Sequence, residues 1–346
     1  MLVKGERLTL RRAQPEDAGR AYEWFALSDL TSRAMGPPLY PELPVPARSG
    51  FDARYPAFLF APGYPYDGRA LVISAGDEDV GLLVYGRVRL EPGWVELEQW
   101  LAEKRFSGRG YGSEALSLGC RWLHEALGVD RFVVRASRRN VRALRSFRRA
   151  GFRAPAGDAR QATSALGLAP HPLADSETLL LERAPPPVVL QDADGRGVVF
   201  LEAKVSAASE PALVSIGAAA SDATAFYCEI QGWPKARASA LTLESVAPLL
   251  DGDAVPIKVA AQAFGAWLRA RSAAQPVAVV STSAWGRWAL AELLGGEELP
   301  PGVDWQRVPL PPEQLDAVAA GLGLRRHHAL DEARALRHAL LRHDGE

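Results

Sequence analysis

Residues Val95 to Gly112 read VELEQWLAEKRFSGRGYG, and their order decides the fold of the first half of the chain. An apolar run carrying two acids is followed by a basic residue, Arg105, and then by glycines at alternate positions, Gly108, Gly110 and Gly112. From Ser113 to Leu127 apolar residues recur with helical period. This order predicts a strand, a phosphate-cradling turn and a helix N-terminus. The first N–H groups of a helix have no acceptor within it and sit at the positive end of its dipole, so an anionic group is stabilised there. Glycine lets the backbone approach such a group closely. Taken alone, the three glycines fit a plain surface loop equally well.

The context narrows the choice. Arg105-Phe106-Ser107-Gly108-Arg109-Gly110 runs basic residue, two residues, Gly, one residue, Gly, and resembles the pyrophosphate loop of the GNAT acyl-CoA N-acyltransferases. No acid follows about twenty residues later at the end of a second strand, as a dinucleotide-binding unit requires. Downstream, a strand over Arg131–Ala136 precedes Asn140, the helical stretch NVRALRSFRRA and Gly151-Phe152, which is similar to the GNAT pattern in its spacing and at both ends. The opening GERLTLRRAQPEDAGRAYEW resembles the branch that includes ribosomal-protein N-terminal acetyltransferases.

The resemblance implies an α/β (α+β) GNAT fold with a central mixed sheet, and acetyl-CoA as cosubstrate. It implies CoA contacts from Leu101, Arg105, Gly108, Arg109, Gly110, Tyr111, Gly112, Ser113, Asn140, Phe147 and Arg149, with the strand backbone taking the pantetheine arm. An amine must be neutral to attack a thioester, so a carboxylate is useful as general base. Glu96 and Glu98 share one face of their strand with Trp100 and are the candidates for that base; exposed strand acids or substrate-orienting groups are the other reading. One position departs from the family. Where many members carry the tyrosine that protonates the departing thiolate, this chain has Phe147, which has no hydroxyl. Arg138, Arg139, Arg142, Arg145, Arg148 and Arg149 make the same segment basic, to meet the 3′-phosphate of CoA, a polyanionic acceptor or solvent.

Elsewhere in this half, Leu8–Arg11 alternates as a strand, and Gln14-Pro15-Glu16-Asp17 starts a helix through Ala18 to Leu27. Residues 36–65 are rich in proline and aromatics, which predicts an irregular segment with short turns in place of a regular helix. In the family the equivalent region walls the acceptor site; plain packing is the other reading. Strands are expected over 70–75 and 80–89, and ETLLLE at Glu177–Glu182 closes the domain after an Ala-, Gly- and Pro-rich stretch at 154–175.

The 346 residues exceed the usual size of one core, so two domains are expected: 1–184, a Pro-rich linker at 185–196, and 197–346. Apolar residues make up 48% and charged residues 23%, with a net charge of −1, which excludes a protein that is basic throughout. No stretch approaches about eighteen uninterrupted apolar residues, and MLVKGERLTL lacks a signal-peptide core, so the expectation is cytoplasmic, with no membrane partner. Cys120 and Cys228 lack metal-ligand spacing and read as reduced thiols.

In the second half, strands are expected over Val198–Val205, Ala212–Ala219, Ala225–Ile230 and Pro276–Ser281, and helices over Ile257–Arg269, Trp285–Leu294 and Arg334–Arg342. PALVSIGAA, SAWGRWALAELLG and RHHALDEARAL in that order resemble the ribonuclease-H-like 3′–5′ exonucleases of the DEDDh group. Their chemistry needs two divalent ions held by four carboxylates, with a histidine to activate water. Here the first pair is Glu202-Ala203-Lys204, the middle acid is Arg287 and the last is Glu332, while His327 is retained. With two acids and two cations in place of four acids, like-charge repulsion opposes a metal pair, and Lys204 and Arg287 can pair with Glu202 and Glu332 in its place, so no metal is expected and the domain reads as a degenerate nuclease. His328, His338 and His343 are not in metal-ligand spacing with any Cys and read as surface residues.

Together these readings give an N-acetyltransferase acting on a small-molecule, peptide or protein-N-terminal amine, fused to a non-catalytic exonuclease-like domain open to RNA contact or homodimerisation. A two-domain scaffold and a weak metal-dependent exoribonuclease using Glu202, Glu332 and His327 are the alternatives.

Overall fold

In the computed structural model, residues 2–30, 44–89, 93–155, 178–183, 197–296, 298–308 and 310–341 are described. The expected linker, most of residues 154–175, residues 31–43 and the chain's last five residues lie outside them. Two compact units result, one of Met1–Arg89, Trp94–His124 and Val129–Pro185, the other of Leu90–Gly93, Glu125–Gly128 and Pro186–Glu346.

The first unit is built on a seven-stranded sheet in chain order, β1 (Leu2–Lys4), β2 (Thr9–Arg12), β3 (Arg69–Ala75), β4 (Glu78–Tyr85), β5 (Trp94–Leu101), β6 (Arg131–Ser137) and β7 (Thr178–Arg183). Neighbours are antiparallel except β5 and β6, which are parallel. That pair positions the site. β5 is bonded to β4 from Leu97 to Leu101, but to β6 only from Trp94 to Leu97, although both strands continue. Beyond Leu97 the β6-facing backbone groups of β5 therefore have no ladder partner.

Among the described residues four α-helices accompany the sheet: α1 (Asp17–Ala26), α2 (Arg48–Arg54), α3 (Tyr111–Leu127) and α4 (Val141–Arg149). α2 corrects the expectation of an irregular segment at 36–65. It fits between Pro46 and Pro56, neither of which is in its interior, and Phe51, 1% exposed, drives its burial. Phe51, Tyr55, Leu59 and Phe60 pack on Val72, Leu82 and Val84 of the sheet, with Phe25 and Trp100 at the margin.

The second unit has a six-stranded sheet in the order β11-β10-β9-β8-β12-β13, with ranges β8 (Gly197–Val205), β9 (Leu213–Ala220), β10 (Ala225–Ile230), β11 (Ala254–Val255), β12 (Val277–Ser281) and β13 (Val303–Arg307). β9 is antiparallel to both neighbours, whereas β12 is parallel to β8 and to β13. Its helices are α5 (Ile257–Ser272), α6 (Ala284–Leu294), α7 (Pro312–Gly321) and α8 (Ala329–Leu341). α8 begins five residues before the expected Arg334, so Asp331 and Glu332 lie in its first turn, where acids favour a helix start. A Cβ on Gly217 of β9 would lie 2.2–2.3 Å from the backbone of Ala329 and Leu330, so glycine alone lets α8 meet the sheet there. Among the described residues no helix is long and apolar enough to cross a membrane.

Candidate active site

At the place where β5 and β6 lose their pairing, the first unit holds a cavity of ≈ 340 Å³. β5 contributes Gln99, Trp100 and Leu101, the glycine turn contributes Gly108, Gly110, Tyr111, Gly112 and Ser113, and the α4 side contributes Asn140, Ser146, Phe147 and Arg149. Most of the expected CoA-contact residues thus meet in one place. Arg105 and Arg109 do not line it. The Arg105 guanidinium instead pairs with Glu78 at 2.6 Å and Glu103 at 2.8 Å, on the exposed side of its turn.

The turn has the backbone that its sequence demands. Gly108 and Gly110 have φ of 79° and 83°, in the left-handed region that side chains disfavour. The Gly110 carbonyl accepts from Glu114 N–H at 3.1 Å, so α3 starts at Tyr111 and its first N–H groups stay available. A clamp outside the cavity fixes this geometry. Arg7 donates to the Arg109 carbonyl at 2.7 Å, and the Glu114 carboxylate accepts from Arg7 N–H at 2.9 Å, from Arg7 Nε at 2.8 Å and from Leu8 N–H at 3.2 Å. Burial alone would raise the Glu114 carboxyl, but these bonds hold it below the ordinary range.

The cavity walls fit a long, amide-bearing anion. Gln99 Nε2 and Trp100 Nε1 are buried donors with no hydrogen-bond partner among the described residues. Such donors are costly unless something accepts from them. A Cβ on Gly112 would approach Ser146 Oγ to 2.7 Å and Gln99 Nε2 to 3.4 Å, so this glycine keeps the wall open. Arg142, Arg145 and Arg149 line the α4 side, are exposed, and pair with no acid among the described residues. Asn140 caps α4, its Oδ1 accepting from Ala143 N–H at 3.1 Å, which leaves its amide nitrogen as a donor. Phe147 is 7% exposed and packs on Phe152; two hydroxyls of the same cavity, those of Ser113 and Ser146, lie 3.5 Å apart.

Neither candidate base lines the cavity; both share the face of β5 that carries Trp100, opposite Gln99. Glu96 is held by Arg135 in a two-bond fork, at 2.5 Å from Nε and 2.9 Å from Nη2, and burial pushes its carboxyl up despite this partner. Glu98 accepts from Tyr55 OH at 2.6 Å and Arg54 Nη2 at 2.8 Å, both on Oε2, so its Oε1 carries no bond to a described residue. Burial and the neighbouring carboxylate together push the Tyr55 phenol up, which keeps it a donor. Gln99, Trp100, Ser146 and the Arg7–Glu114 clamp were not singled out as site residues from the sequence. Their roles depend on strand separation and on contacts across more than a hundred residues, for which no local motif exists.

In the second unit, Glu202, Lys204, Glu332 and the His327 backbone converge. Lys204 Nζ pairs with Glu332, whose Oε1 also accepts from Arg326 Nη1 at 2.5 Å and His327 N–H at 2.8 Å. Glu202 accepts from the Thr282 hydroxyl at 2.6 Å. Burial pushes the Glu202 carboxyl up; at Glu332 burial acts the same way, but Lys204 and Arg326 outweigh it and hold the group below the ordinary range. Arg287 is buried at 1% exposure on α6. Among the described residues no group of three or more His, Cys, Asp or Glu could hold a metal. His328 corrects the surface expectation. It is 2% exposed, lies 4.6 Å from the Tyr227 ring, and contacts Arg325 Nη2 at 3.0 Å.

Solved structures overlap the chain over about half its length. The acetyltransferase (GNAT family) from Bacillus anthracis is 16% identical, covering 53% of this chain and 98% of its own, with a TM-score of 0.38. The aminoglycoside acetyltransferase AAC(6')-Ib in complex with coenzyme A is 18% identical over 51% and 94%, TM-score 0.38. RimL, the ribosomal L7/L12 alpha-N-protein acetyltransferase, in complex with coenzyme A, is 17% identical over 53% and 98%, TM-score 0.39. No curated protein matches. Residues 7–153, however, match the family model described as acetyltransferase (GNAT) domain, and this stretch holds the glycine turn, the parted strands and the capped α4. Residues 7–153 are therefore a GNAT acetyltransferase domain.

Proposed function

We propose that the first unit is an acetyl-CoA-dependent N-acetyltransferase acting on a primary amine. The observation that carries this reading is one cavity uniting the glycine cradle, the buried unpaired donors Gln99 Nε2 and Trp100 Nε1, and the unpaired arginines of α4. The N–H groups after Gly110 would hold the pyrophosphate, Arg142, Arg145 and Arg149 the adenosine phosphates, and Gln99 and Trp100 the amides of the pantetheine arm. When bound, acetyl-CoA supplies an acyl group already activated as a thioester. The chain's own part is to orient that group and to remove a proton. Glu98 suits the second task better than Glu96, because the Arg135 fork occupies both Glu96 oxygens while Glu98 keeps Oε1 open. Tyr55 and Arg54 orient it, and Oε1 takes the proton from the acceptor's ammonium, directly or through water. With Phe147 lacking a hydroxyl, the proton for the departing sulfur is left to Ser113, Ser146 or solvent.

Thiol release from acetyl-CoA, measured with a panel of amines, peptides and aminoacyl compounds, tests the assignment. Turnover is expected with at least one class, and Glu98→Gln should lower kcat by about 10²–10³ while leaving acetyl-CoA affinity within about twofold. Absence of acetyl-CoA binding in calorimetry, together with no turnover on any amine, would overturn it. Arg142→Ala and Arg149→Ala should each weaken acetyl-CoA binding by roughly three- to tenfold and flatten its salt dependence; unchanged affinity at low salt would return these side chains to solvent.

For the second unit we propose a degenerate nuclease fold retained for binding or assembly. This is supported by the way the first-strand acid, Lys204 and the first-turn acid of the last helix come together, with a lysine ammonium beside the acids. The boundary between the domains falls, on this reading, at residues 185–196.

A further inference from the structure

A second cavity in the first unit, of ≈ 370 Å³, shares no lining residue with the first. Its walls include Arg12 and Ala13 where β2 ends, Gln14, Pro62 and Arg69 where β3 begins. Arg69 is 3% exposed. One nitrogen, Nη2, donates to the Gly63 carbonyl; Nε is buried without a partner, and no carboxylate among the described residues pairs with this guanidinium. Two acids at the β2–α1 and β3–β4 connections are engaged by other arginines. Asp17 binds Arg11 at 2.7 Å and Arg20 at 2.7 Å, and Asp79 binds the same two arginines, each at 2.8 Å. Burial alone would raise the Asp17 carboxyl, but these guanidinium bonds hold it down at about 2, so it is fully ionised and spent on them.

Arginine does not shed its proton in a protein, so it cannot escape burial by becoming neutral. A buried charge is tolerated when a counter-charge or several hydrogen bonds meet it. At Arg69 one carbonyl meets it, and the residue lines a cavity large enough for a small molecule. A planar fork of N–H groups matches the oxygen spacing of carboxylates and phosphates.

We propose that this cavity is an oxyanion site in which a small phosphate or carboxylate neutralises Arg69, with Gln14 at its rim. The site is independent of the acetyl-CoA reading, since it uses different residues. The test is a thermal-unfolding series on the full chain with sodium phosphate or sodium succinate, each against sodium chloride at fixed ionic strength. Wild type and Gly110→Glu should both show a saturable rise in Tm of several degrees, because Gly110→Glu disturbs only the glycine cradle. Arg69→Met should show none, and without added anion should be at least as stable as wild type, having lost an unneutralised buried charge. The anion giving the larger rise identifies the ligand as phosphate-like or carboxylate-like. An equal rise in Arg69→Met, or no rise beyond chloride with either anion, would overturn the proposal. Should Arg69→Met not fold, Arg69→Lys keeps the charge but loses the fork, and is expected to need at least fivefold more anion for the same rise; an unchanged midpoint would be equally fatal.

Discussion

Replacing Gly110 with glutamate should abolish measurable acetyl-CoA binding, a loss of at least a hundredfold in Kd, or about 3 kcal/mol. Two costs combine. Gly110 has φ of 83°, where a side-chain-bearing residue costs about 1–3 kcal/mol, and its Cβ would lie 3.0 Å from the Arg7 guanidinium that fixes the turn. The carboxylate then sits among the N–H groups at the start of α3 and competes with any phosphate for them. Gly110→Ala carries only the first cost and should lose about tenfold. Gly76→Ala separates strain from site. It too has positive φ, 62°, in the turn between β3 and β4, with open space around it, so it should cost stability and leave acetyl-CoA affinity unchanged. Calorimetric titration of the three variants checks the order; equal affinities for Gly110→Glu and wild type would remove the cradle from the binding site.

Lys204→Met should destabilise the second unit by about 3 kcal/mol, near the lower end for breaking a buried pair because Arg326 and the His327 N–H remain on Glu332. In thermal unfolding this is a fall of roughly 10 °C in the melting of that unit. The pH dependence identifies the cause. In wild type the Glu332 carboxyl lies below its ordinary value when folded, so its contribution is complete above the unfolded pKa and fades as pH falls through the folded one. Without Lys204, burial beside Glu202 acts on Glu332 with less opposition, so protonation relieves the folded state and the deficit should shrink on acidification. Lys204→Met combined with Glu332→Gln should recover part of the loss at neutral pH. A deficit independent of pH would mean that Lys204 acts through packing alone.

Local chemistry was legible in the sequence. The glycine turn, Asn140 as a helix start and Gly151-Phe152 as its end are contiguous signals, and the structure places Gly108, Gly110, Gly112, Asn140 and Phe147 around one cavity. What the sequence did not reveal depends on partners far along the chain. Gln99 and Trp100 matter because β5 loses its ladder with β6 beyond Leu97, a property of two strands together. The α2 helix was hidden by flanking prolines that bound it without entering it. β13, Val303–Arg307, was missed because it joins the sheet edge through β12 alone. His328 read as a surface residue because its tilted ring contact with Tyr227 spans about a hundred positions.

Gly217 makes the electrostatics of the second unit depend on volume. It pairs with Glu202 across the sheet and touches the backbone of Ala329 and Leu330, three and two residues before Glu332. The ammonium–carboxylate contact is therefore set by how closely a helix can lie on a strand. A single methyl group at 217 would act as a wedge, drawing the opposite charges apart without altering either of them. A lineage could thus loosen or re-form this charge cluster through a neutral substitution in the sheet, and a comparison restricted to the charged positions would miss the change.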